Sequence, residues 1–104
     1  MLNITKENFN TEVIDSDKLV AIDFWAAWCG PCKMLSPVFE QLSGDMDNVK
    51  FCKVNVDEQP ELARQFAISS IPAIVLVKDG VTVDALVGYR PKEALAEFIS
   101  DYVD

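Results

Sequence analysis

Leu19-Val20-Ala21-Ile22-Asp23-Phe24-Trp25-Ala26-Ala27-Trp28-Cys29-Gly30-Pro31-Cys32-Lys33 passes directly from a strand pattern into a helix pattern. Leu19–Trp25 is almost continuously apolar, as a central strand covered on both faces should be. From residue 31 to 43 the period changes. Cys32, Leu35, Phe39 and Leu42 recur at i, i+3, i+7 and i+10, with Val38 on the same side, which predicts a helix. Pro37 falls inside it and is expected to kink it. Two thiols therefore sit at a strand-to-helix junction, the carboxyl end of a strand, where ligand sites of α/β sheets gather.

Outward from this stretch, strand and helix patterns alternate. Residues 2–4 suit a short edge strand. Thr5 is a candidate N-cap for a helix over residues 6–15, with Phe9 and Val13 inward. Residues 49–56 are β-branched and strand-like, and Pro60 suits the start of a short helix over 61–66. Ala73–Lys78 and Val81–Val87 have only Asp79-Gly80 between them, a tight hairpin. Residues 91–103 close the chain as an amphipathic helix with Leu95, Phe98, Ile99 and Tyr102 inward. The order βαβαβαββα makes one α/β domain over residues 1–104. It predicts a mixed five-stranded central sheet flanked by four helices, with strands joined through helices parallel and the hairpin antiparallel.

Composition removes several function classes. Half of the 104 residues are hydrophobic, enough for one packed core. A formal charge of -8 argues against nucleic acid and anionic membranes as partners. No basic start followed by an apolar run opens the chain, and no segment approaches the roughly 20 apolar residues of a membrane span. A cytoplasmic location is expected, where three cysteines suit metal binding or catalysis better than a disulfide framework. There is no histidine, which excludes Ser-His-Asp and Cys-His catalysis and mixed Cys/His zinc sites.

Cys29 falls at the predicted helix N-terminus, where free N–H groups and the macrodipole stabilise a thiolate. Cys32 lies on the apolar stripe. The expectation is an exposed attacking thiol, Cys29, and a shielded resolving thiol, Cys32, working through a mixed disulfide. A metal site is the rival, but zinc usually takes four ligands, and only Cys52 remains after this pair. Asp23 interrupts the most buried strand. Burial should raise its pKa and suit it to take the Cys32 proton, unless local hydrogen bonds simply satisfy it. Lys53 shares a strand face with Phe51 and either reaches toward Asp23 or faces solvent. Cys52, on the opposite face, reads as a buried core residue. Ile71-Pro72 opens a strand, where proline marks a bend or a cis bond.

Together these residues resemble the thioredoxin family over nearly the whole chain. The segment 24–33 matches its active-site segment and Asp23 its buried acid. Pro37 matches its helix proline, 53–57 its third-strand segment, 70–72 its cis-proline loop, and Gly80 and Gly88 its glycines. The resemblance implies a general protein disulfide reductase, active as a monomer with no bound cofactor and no metal. Its redox group would be the Cys29–Cys32 disulfide. Its partners would be disulfide-containing target proteins and a thioredoxin reductase, either an NADPH flavoprotein or ferredoxin-linked. It also implies a cis Ile71-Pro72 beside Cys29 and a substrate groove lined by Trp28, Gly30, Pro31, Ile71, Pro72 and Gly88. The Gly-Pro insert lacks the histidine of oxidising relatives, so reduction is favoured. Ala27 stands where well-known bacterial members carry an acid, a difference expected to alter partner choice. A non-catalytic binding subunit is the alternative function.

Overall fold

The computed structural model describes residues 1–103. Five strands form one sheet: β1 (Leu2–Asn3), β2 (Leu19–Trp25), β3 (Val49–Asn55), β4 (Ala73–Lys78) and β5 (Val81–Val87), in the order β1-β3-β2-β4-β5. Three α-helices accompany them: α1 (Gly30–Asp45), α2 (Pro60–Gln65) and α3 (Lys92–Ser100). The apolar run of β2 takes the central place, buried from Leu19 through Phe24. Val20, Ile22 and Phe24 point into a layer with Phe9, Val13 and Leu62. Leu19 and Ala21 point the other way, against Leu35 and Phe39 of α1 and Leu95 and Ile99 of α3. Alternation then puts Asp23 on the α1 face, in the row begun by Leu19 and Ala21.

Two expectations fail. The strand reached through α2 is not parallel: β4 pairs with β2 antiparallel, whereas β3 pairs with β2 in parallel. Six helical residues advance about 9 Å, whereas a seven-residue strand spans about 23 Å. α2 does not carry the chain back to the far end of the sheet, and β4 starts where β3 stopped. Ala73 lies opposite Phe24 as a result, and the residues just before β4 reach the carboxyl end of β2.

The other failure is the first helix. Turns over residues 6–8 lead into a π-wound segment, Asn10–Ile14, closed by the Asp15 N–H on the Asn10 carbonyl (2.9 Å). The Glu12 carbonyl, near the end of this segment, accepts from Lys50 Nζ (3.0 Å). That ammonium also holds the Glu12 carboxylate (2.5 Å). Thr11, Val13 and Ile14 are weak α-formers, so little opposes the wider turn. At the start of the segment, Asn8 Oδ1 accepts the Thr5 N–H (2.8 Å).

The hairpin forms as expected. Asp79 (φ 52°) and Gly80 (φ 79°) both take positive φ, the requirement of a type I′ turn. α3 ends at Ser100, short of residue 103, and Tyr102 donates its hydroxyl to Asp84 of β5 (2.5 Å).

Candidate active site

β2 ends at Trp25, and a turn closed by the Cys29 N–H on the Ala26 carbonyl (3.2 Å) delivers the chain to α1. Cys29 is the N-cap, extended at φ -93° and ψ 111°, and its Sγ accepts the Cys32 N–H at 3.2 Å. Pro31 occupies the first turn, where its missing N–H costs nothing. The two sulfurs are joined as a disulfide, with Cα atoms 5.3 Å apart. A sulfur at this cap faces the free N–H groups that stabilise a thiolate once the bond is broken. Pro37 lies inside α1 on its exposed side, and the helix continues past it to Asp45.

The expected contrast in exposure between the thiols is absent in this oxidised state: Cys29 is 4% and Cys32 3% exposed. Cys29 is covered because the loop before β4 packs over it, with its Sγ 3.8 Å from the Ile71 carbonyl oxygen. What is open is the rim. Gly30 and Pro31 are exposed, and Trp28 is 70% exposed.

The opposite wall comes from the turned-back β4. The Ile71-Pro72 peptide is cis, Pro72 is buried, and the Pro72 carbonyl accepts the Gly88 N–H at 2.8 Å. Gly88 has φ +95°, which a side chain would strain. Of the six residues expected to line a groove, Gly30 and Pro31 open α1 beside Cys29, Ile71 packs against the disulfide, Pro72 and Gly88 are joined by their hydrogen bond, and Trp28 precedes Cys29 in the loop after β2.

Behind the disulfide is a cleft of about 250 Å³, lined by Asp23, Trp25, Ala26, Ala27, Cys32, Lys33, Ser36 and Lys53. Asp23 is fully buried, and neither of its carboxylate oxygens has a hydrogen-bond partner among the described residues. Burial pushes its pKa up to about 6, and the nearby Lys53 ammonium pulls the other way. Lys53 is paired with Asp23 across β2 and β3, half-buried, with Nζ 4.6 Å from the centre of the Trp25 ring. Asp23 and Cys32 share the cleft, so a proton leaving Cys32 has a carboxylate to go to in the same enclosure.

Cys52 is fully buried, 3.7 Å from the Ala21 carbonyl, and burial pushes its pKa up to about 12. It takes no part in the site. Among the described residues no group of three or more His, Cys, Asp or Glu is placed to hold a metal. One participant escaped the sequence reading as an individual residue. Asp57 accepts the Trp28 indole N–H at 2.8 Å. The signal was there, since Asn55 two positions earlier is a residue that organises a turn after a strand.

The thioredoxin family model matches residues 1–101. A thioredoxin of Chlorobaculum thiosulfatiphilum is 49% identical over 100 residues, covering 95% of this chain and 93% of that protein. One of Alicyclobacillus acidocaldarius is 48% identical over 101 residues (96% and 95%), and one of Staphylococcus haemolyticus 45% over 104 residues (99% and 98%). Since the match runs almost end to end and the similarity spans nearly the full length of each relative, the chain belongs to the thioredoxin family of protein disulfide oxidoreductases.

Proposed function

We propose that the chain is a general reductant of protein disulfides in which Cys29 attacks and Cys32 resolves. The carrying observation is the placement of the pair: Cys29 Sγ caps α1 and receives the Cys32 N–H at 3.2 Å. In the reduced protein the Cys29 thiolate attacks one sulfur of a target disulfide. The target's S–S bond breaks, a Cys29–target disulfide forms, and the target's other sulfur leaves as a thiolate. Asp23 then takes the Cys32 proton through the shared cleft. The Cys32 thiolate attacks Cys29 Sγ, closing the internal disulfide and releasing the target's second sulfur. The target gains two electrons, its two thiolates take up one proton released by Asp23 and one from solvent, and the chain becomes the oxidised form seen here.

An acid with a pKa near 6 is ionised at neutral pH and can accept that proton. Re-reduction falls to a thioredoxin reductase, and the target segment lies in the groove of Trp28, Gly30, Pro31, Ile71, Pro72 and Gly88. Lys53 biases Asp23 toward its charged form. We place the protein in the cytoplasm, as a monomer with a single domain over residues 1–104. A reducing carrier works where thiols are kept reduced, and Cys52 is left unpaired.

Reduction of insulin disulfides with dithiothreitol as electron source tests the reading. Cys29→Ser should abolish turnover, and surviving turnover rejects the mechanism. Asp23→Asn should slow resolution about 100-fold or more and flatten the pH–rate profile near pH 6. An unchanged profile removes Asp23 from the proton path.

A further inference from the structure

We infer that Asn55, outside the groove and touching no reacting atom, is a positioning residue that sets the Trp28 indole in its docking orientation through Asp57. Trp28 is 70% exposed, so packing within the chain does little to fix its ring. Its polar anchor is the 2.8 Å hydrogen bond from the indole N–H to Asp57 Oδ2. The anchor holds only if Asp57 is itself fixed, and the backbone around it is tied at several points. Asn55 Oδ1 accepts the N–H groups of both Asp57 (2.9 Å) and Glu58 (3.2 Å). The Asn55 carbonyl accepts the Gln59 N–H (2.9 Å), and the Val56 N–H binds the Trp25 carbonyl (2.9 Å).

One side chain therefore folds the turn after β3 back on itself and aims a carboxylate across to the loop after β2. Beyond it, Gln59 Oε1 accepts the Lys6 N–H (3.2 Å), holding the turn from its far side. Such a turn suits asparagine or aspartate, whose side-chain oxygen reaches N–H groups two and three residues on. An indole ordered in advance removes the ordering cost that a docking partner would otherwise meet.

This inference rests on the reductase reading, and steady-state kinetics with a thioredoxin reductase as partner separate the two. If the unaltered chain does not reduce insulin, the reductase reading fails. If it does, the variants decide the positioning role. Asn55→Ala should raise KM for the reductase about two- to tenfold with kcat little changed. Asn55→Asp, which keeps the accepting oxygen, should restore it, and Asp57→Leu should mimic the loss. In a Trp28→Ala background Asn55→Ala should add almost nothing to KM, since no indole remains to be placed. Far-ultraviolet circular dichroism identifies variants that are folded, and Asp57→Leu carries the test should Asn55→Ala not fold. An unchanged KM in folded Asn55→Ala, no rescue by Asn55→Asp, or an undiminished effect in the Trp28→Ala background overturns the proposal.

Discussion

Asp23 carries the sharpest conflict between burial and charge. Its carboxyl is raised from 3.8 to about 6 because burial penalises the ionised form. Between those values the folded chain binds more protons than the unfolded one. Stability therefore falls as pH rises through that window and stays lower above it. Asp23→Asn should accordingly stabilise the protein at pH 7.5 by an amount on the order of 3 kcal/mol. The gain should vanish below pH 4, as paired denaturant titrations would show. An equal gain at both pH values would mean that the charge is not the cause. Cys52 supplies the contrasting case. It should resist alkylation in the native protein while the attacking thiol of reduced Cys29 reacts, and peptide mass spectrometry after timed labelling checks this. Both residues were legible early, because an acid inside an apolar strand and a cysteine facing the core each stand out against the pattern. The burial of Cys29 was not legible. It depends on a loop 42 residues away in sequence, with the Ile71 carbonyl against the sulfur.

Among the elements, those dictated by local chemistry follow the sequence closely. The β4–β5 hairpin is the clearest, its two turn residues both at positive φ. A β-carbon at position 80 would also meet Ile14 at 3.4 Å. Gly80→Ala should therefore cost about 1–2 kcal/mol, measured by chemical denaturation. A loss below 0.3 kcal/mol would mean that the turn relaxes freely. The Asn10–Ile14 segment shows what local patterning misses. Its apolar positions suit an α-helix, but it winds as a π segment whose last turn is also tied to Lys50, 38 residues on, through the Glu12 carbonyl. The direction of β4 is similar. Alternating strands and helices suggest parallel pairing, but the chain leaves β3 and re-enters the sheet at the same end, so β4 runs antiparallel to β2.

Across the whole molecule two apolar layers lie on either side of β2, and buried rings pack within each. Phe39 of α1 lies edge-on to Phe51 of β3, centroids 5.0 Å apart, and is fully buried. Phe39→Ala should cost about 3–5 kcal/mol, a large part of the 5–15 kcal/mol typical of a whole domain. A thermal melt lowered by less than about 5 °C would count against that estimate. The reversal of β4 also gives the molecule a working pole and an idle one. The disulfide, Trp28, Pro72 and Gly88 gather at one end of the sheet, while the Asp79-Gly80 turn lies at the other, where β4 leaves and β5 begins. A bead, an electrode or a fused protein attached through that turn would leave the sulfurs facing outward. The chain could be immobilised by its back and still hand electrons to whatever flows past its face.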